Sequence, residues 1–307
     1  MHFLIISILC SVSVSVLLKL ARRNGVNIAQ AVAINYPVAA ACTWFFLRPD
    51  FSDWHTYSSH WIIFLALGIG LPLGFIVLGR AIEQAGMVKT DAAQRLSLFM
   101  PIVAAFVVFG ETLSTNKIIG IALALMALLT LLYRENPAKS KGKGDFLSTA
   151  GYLFGVWLCY GTTDILFKQM AKSGTAFAPT LLVSFILAAI LIICYLCLRR
   201  TVWNAASILA GLILGGLNFA NILFYIRAHQ YFQQDPSLVF AGMNLGVITL
   251  ATIIGAFVFK EKINGLNAAG IVLAIAAIWF LFYGSRLNSL LSADILKSCS
   301  EIENSFF

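Results

Sequence analysis

The chain has 307 residues, of which 60% are hydrophobic and only 11% charged, with a formal net charge of +8. A soluble domain carries about 25% charged residues, so this much apolar surface needs lipid to cover it and a soluble enzyme or soluble binding module is excluded. The basic residues lie in short segments between apolar runs, which argues against a nucleic-acid footprint and makes the lipid bilayer the expected partner.

A helical span needs roughly 20 apolar residues. Stretches of that kind run over 2–20, 28–47, 60–80, 87–109, 116–133, 147–168, 178–198, 205–227, 236–259 and 265–283. They are continuous, whereas barrel strands alternate in polarity, so the expected fold class is all-α integral membrane, with ten transmembrane helices. The first stretch has no basic flank before it and no clear cleavage site, and reads as a retained span.

Going along the chain, Asn35-Tyr36-Pro37 interrupts the second span, where the proline frees a backbone carbonyl. Gly68, Gly70, Pro72 and Gly74 predict a flexible or broken third span. Pro101 breaks the fourth, and the basic run from Arg134 to Lys143 reads as a solvated linker.

The chain repeats itself. Phe109-Gly110-Glu111, Gly120 and Tyr133 recur as Phe259-Lys260-Glu261, Gly270 and Tyr283, displaced by 150 positions. Lys19 and Gly25 recur as Lys168 and Gly174, and Arg80-Ala81 as Arg227-Ala228. The division is a first five-helix repeat over 1–133, a linker over 134–146, a second repeat over 147–283 and a polar tail over 284–307. Five spans per half is odd, so the second half must enter the membrane from the opposite side and the repeats are expected to be inverted.

An ionisable side chain inside hydrocarbon costs about 2.5–3.5 kcal/mol at a helix centre, so those within spans are weighed one by one. Asp164 and Lys168 stand four apart on one face of the sixth span. They read either as a proton-coupling carboxylate with its counter-ion or as a pair that neutralises itself near the membrane surface, with Lys168 snorkelling. Arg95, beside Gln94 and Ser97, suits a carboxylate or phosphate on a substrate, or else pairs within its helix with Asp91. Asn218, Asn221 and Tyr225 share a face of the eighth span and suit a polar, uncharged or zwitterionic solute, or else hydrogen bonds between helices. Asn35, and Asn244 at the counterpart of Gln94, line a cavity or serve structure; Trp157, on the face of Asp164, could stack on a substrate ring. Glu111 and Glu261 end their spans and read as caps or lysine partners.

No catalytic constellation is visible. His2, His55, His60 and His229 fall in loops or at span ends, and no HExxH, GxSxG or Walker loop occurs. Neither an enzyme nor a cofactor is implied. The six cysteines have no metal spacing and read as small buried apolar residues.

Two five-span copies, each ending in Glu111 or Glu261 and then Gly120 or Gly270, resemble the drug/metabolite transporter superfamily, in particular its EamA-like ten-helix branch. Pro101 fits the pattern in the first copy; Ala251 departs from it in the second. The resemblance implies an inverted-repeat fold around a mid-membrane cavity, secondary transport or exchange of a small solute, and cytoplasmic termini. The distribution of Lys and Arg among the loops votes for the opposite orientation.

The expected function is a secondary transporter, exporter or exchanger, of a small polar or amphipathic metabolite or drug. It would work by alternating access, with Asp164 as a candidate for proton coupling, in a plasma or bacterial inner membrane. A carrier of a lipid-linked or nucleotide-linked substrate is the alternative, and a non-transporting membrane scaffold the more remote one. A homodimer is compatible with the sequence, but nothing in it requires one.

Overall fold

The structure is a computed structural model that describes residues 1–51, 61–132, 146–173, 177–259 and 265–283. The linker from 133 to 145, Glu261 and the tail from 284 onward lie outside the described residues.

The described residues are helical throughout, without strands. In chain order the helices are α1 (His2–Arg23), α2 (Ile28–Cys42), α3 (Trp61–Ala85), α4 (Met87–Leu96), α5 (Phe99–Val107), α6 (Thr115–Leu132), α7 (Phe146–Lys172), α8 (Phe177–Leu198), α9 (Ala205–Tyr231) and α10 (Pro236–Phe259). The last is α11 (Gly265–Tyr283). A π-helical turn, Thr43–Leu47, continues α2. Eight helices among the described residues are long and apolar enough to cross a bilayer, which is compatible with a multi-pass membrane protein. Their outer faces carry bare aliphatic and aromatic groups, among them Val107, Leu147, Leu198 and Phe257, each more than three-quarters exposed. Apolar patches of this extent mark a surface that something else must cover.

The predicted fourth span is two short helices. Pro101 has no N–H to give to the carbonyl of Ser97, so the chain tightens there: Leu98 N donates to Arg95 O at 3.2 Å and Met100 N to Ser97 O at 3.0 Å. The break thus falls one turn before the proline. The predicted sixth span is the 27-residue helix α7, too polar around Tyr160–Lys168 to count among the eight. The third span, expected to be flexible or broken, is one unbroken helix with Pro72 inside it. Its glycines serve packing instead: a Cβ on Gly68 would lie 2.6 Å from Leu187 Cδ2 of α8.

Small residues let other helices meet as closely. A Cβ on Gly215 of α9 would lie 2.5 Å from Val38 Cβ of α2, and one on Gly120 of α6 would lie 2.7 Å from Leu281 Cγ of α11. One on Gly270 of α11 would lie 2.8 Å from Leu131 Cγ of α6. Polar ties finish the frame. The Gln30 amide of α2 donates to Val202 O and accepts from Asn204 N, and Asn27 N donates to Ser207 Oγ at 3.0 Å.

A buried ionic cluster closes one end of the bundle. Lys117, only 2% exposed, pairs with Glu111 at 2.9 Å and with Asp235. Glu111 also accepts from Ser237 N at 2.9 Å and Ser237 Oγ at 2.6 Å. It therefore caps α10, the positive end of a helix far away in sequence, as well as meeting a lysine.

Candidate functional site

A cavity of about 210 Å³ lies among the middles of α1, α3, α7, α9 and α10 and the break between α4 and α5. Its position follows from the helix geometry. Gly70 and Gly74 give α3 no bulk on that side, and Asn218, Asn221 and Tyr225 recur on one face of α9. The break after Leu96 brings Gln94, Arg95 and Ser97 to the wall. Of the residues singled out from sequence, Gln94, Arg95, Asp164, Asn218, Asn221, Tyr225 and Asn244 all line this one space.

The wall carries one guanidinium, of Arg95, and one carboxyl group, of Asp164. The Arg95 Nε is buried and makes no hydrogen bond; Asp91 Oδ1 stands 3.6 Å away, at ion-pair but not hydrogen-bond distance. Asp164 accepts from the Tyr225 hydroxyl at 3.3 Å. Asn221 Oδ1 accepts from Ser7 Oγ at 2.9 Å, and Asn244 Nδ2 donates to Phe240 O at 3.2 Å. Two amides are thus tied to the frame by one atom each and keep a second polar atom for a solute.

Three singled-out residues sit elsewhere. Lys168 does not neutralise Asp164. Its ammonium is 1% exposed and donates to Gln233 O at 2.9 Å and His229 O at 3.4 Å, because the bend after α9 offers carbonyls closer than the carboxylate one turn away. Asn35 is buried in the α2–α9 contact, its Oδ1 without a partner, and lies outside the cavity wall. Trp157 also lies outside it: its Nε1 donates to Leu96 O at 3.1 Å and its ring stacks on Phe154 at 5.6 Å. It satisfies a carbonyl freed by the end of α4.

Other wall residues escaped the sequence reading. Ser11, Tyr160, Thr163 and Met243 add to the polar and polarisable part of the wall, and Leu71, Phe75, Phe167, Ile222 and Val247 to its apolar part. Tyr160 and Thr163 belong to the polar run that ends in Asp164, which was their only signal. His229 lies at a span end as expected, in the last turn of α9, and is buried at 0% exposure between the rings of Tyr225 at 4.8 Å and Phe240 at 4.7 Å. Neither of its ring nitrogens has a hydrogen-bond partner.

The chain is 53% identical over 292 residues to an uncharacterized protein of Haemophilus influenzae, an alignment that covers 94% of this chain and 99% of that one. The chain belongs to that protein's family. No protein-family model matches it. A crystal structure of another protein superposes with a TM-score of 0.70, covering 93% of this chain and 96% of the other at 15% identity. That likeness concerns the fold.

Proposed function

We propose that the chain is a secondary transporter of a small polar or zwitterionic solute, held in the mid-helix cavity and released by alternating access. The observation that carries the reading is the composition of that wall: one guanidinium at the break between α4 and α5, and one carboxylate and several amides within long helices, in a bundle whose outer faces are apolar. Groups so costly in hydrocarbon mark a solute pathway by default. Arg95 takes the anionic part of the solute, the Asn218 and Asn221 amides its neutral polar part, and Asp164 either its cationic part or a proton.

Alternating access asks for two halves related by a two-fold axis in the membrane plane, ten crossings in all. The contacts support such halves. Gly120 meets Leu281 as Gly270 meets Leu131, and each residue maps onto its counterpart by 150 positions. Gly68 meets Leu187 as Gly215 meets Val38, with displacements of 147 and 149. Trp157 of α7 meets Leu96 of α4, and their counterparts Ile8 of α1 and Gly246 of α10 meet as well, with displacements of 149 and 150. A contact that recurs with its partners exchanged is the mark of a two-fold relation. On this reading α4 with α5 makes one crossing and α7 another, completing ten, as the EamA-like resemblance implies.

The Lys117–Glu111–Asp235 cluster then seals one end of the pathway, and rocking the halves apart must open it. A screen of metabolites for thermal stabilisation identifies binders, because a ligand of the native state raises Tm by mass action. Each binder is then followed across proteoliposome membranes. Saturable flux of a stabilising solute, lost in Arg95→Ala, is expected. A solute that stabilises the wild type through Arg95 but is never moved would make the protein a receptor or scaffold.

A further inference from the structure

A second and larger cavity, about 410 Å³, opens where α1, α3 and α8 end and α2 begins. Two guanidiniums stand at its edge, Arg80 of α3 and Arg199 just past α8. The Arg199 guanidinium lies over the ring of Tyr195, another lining residue, at 5.5 Å. Glu83 is the acid in the lining. It meets Arg80 at 3.6 Å with its own side chain 69% exposed, so a positive excess remains. Below the charges the wall turns aliphatic, with Leu18, Val32, Ile76, Ile192 and Leu196.

We propose that this cavity seats an anionic phospholipid, its phosphate between Arg80 and Arg199 and an acyl chain along the aliphatic wall. The depth fits: helix ends lie where headgroups lie, and basic pockets between helices at that level bind acidic headgroups. The wall chemistry chooses a lipid over free phosphate, since inorganic phosphate has no use for five aliphatic side chains. The excess of guanidinium over carboxylate chooses an acidic headgroup over a zwitterionic one. The positive end of α2 adds to the same field, although Asn27 Oδ1 already accepts from Ala29 N and Gln30 N. Phe75 borders this cavity and the central one alike, so a lipid seated here presses on a wall of the solute site.

The inference rests on the membrane placement of the chain and not on transport, so the two can fail separately. The purified full-length protein is titrated with phosphatidylglycerol and with phosphatidylcholine in detergent, and bound lipid is counted by native mass spectrometry. The wild type is expected to prefer phosphatidylglycerol by roughly fivefold, the size set by two guanidiniums less one carboxylate near a headgroup. Arg80→Gln with Arg199→Gln is expected to bring the two lipids to parity. Equal binding of both lipids by the wild type overturns the proposal without need of any variant. So does a preference that survives the double substitution. Displacement of phosphatidylglycerol by millimolar inorganic phosphate would make the site one for a free anion, and overturns it too.

Discussion

The Tyr225 hydroxyl of α9 donates to the Asp164 carboxylate of α7 across 3.3 Å. The pair spans the two helices that contribute most of the polar wall, and it leaves the second carboxylate oxygen free to meet a proton or a solute. On the transport reading, Asp164→Asn fixes this group in a neutral form. Flux in proteoliposomes should then lose its response to an imposed pH gradient while downhill exchange persists. Asn still offers Tyr225 an acceptor, so Tm should change little, by about 1 kcal/mol or less in stability. An unaltered gradient response in the variant would remove Asp164 from coupling.

Lys117 holds two carboxylates in a dry place. Removing it leaves Glu111 and Asp235 buried without their cation, and breaking a buried pair costs about 3–5 kcal/mol. Lys117→Met should therefore unfold far earlier in a denaturant series than the wild type. Lys19, a basic residue on α1, gives the comparison: Lys19→Met should shift the midpoint less than Lys117→Met.

The exchanged glycine contacts make a symmetric prediction. Gly120→Ala and Gly270→Ala each force a Cβ into a leucine side chain, and overpacking costs about 1–3 kcal/mol. Both should destabilise by similar amounts, and Leu281→Ala should rescue Gly120→Ala but not Gly270→Ala. Gly216, whose Cβ position is open, gives the control: Gly216→Ala should be neutral or mildly stabilising by Tm.

Trp157 holds the break between α4 and α5 through one hydrogen bond to Leu96 O. Trp157→Phe keeps a ring and loses the donor, which should cost about 1 kcal/mol. If the tryptophan instead stacked on a solute, the same substitution would weaken solute binding with Tm unchanged; a ligand-stabilisation titration separates the two.

Much of the architecture was legible because twenty-residue apolar runs leave the backbone no choice but a helix in lipid. The recurrence of Glu111, Gly120 and Arg80 was legible as such, at displacements of 150, 150 and 147 positions. Less was legible where tertiary partners decide. Pro101 announced a break but not its place, which depends on how Ser97 and Leu98 re-pair their carbonyls and amides. The i, i+4 spacing of Asp164 and Lys168 suggested a pair, yet carbonyls of the bend after α9 compete for the ammonium and win. Lys117 stands in the first turn of α6 and His229 in the last turn of α9, and both are buried there by tertiary partners. Nothing local in sequence marks a lysine whose acids come from residues 111 and 235.

The central claim is that water and solute reach a polar chamber midway along these helices. In a chain stripped of its native cysteines, Asn218→Cys places one thiol on that wall and Ile190→Cys places another on the exposed apolar face midway along α8. Labelling with a membrane-impermeant maleimide, applied to each side of sealed proteoliposomes in turn, reads access directly. The account predicts that the thiol at 218 reacts and that an Arg95-dependent solute slows it. A thiol at 218 that stays inert from both sides, at the level of the one at 190, would contradict it.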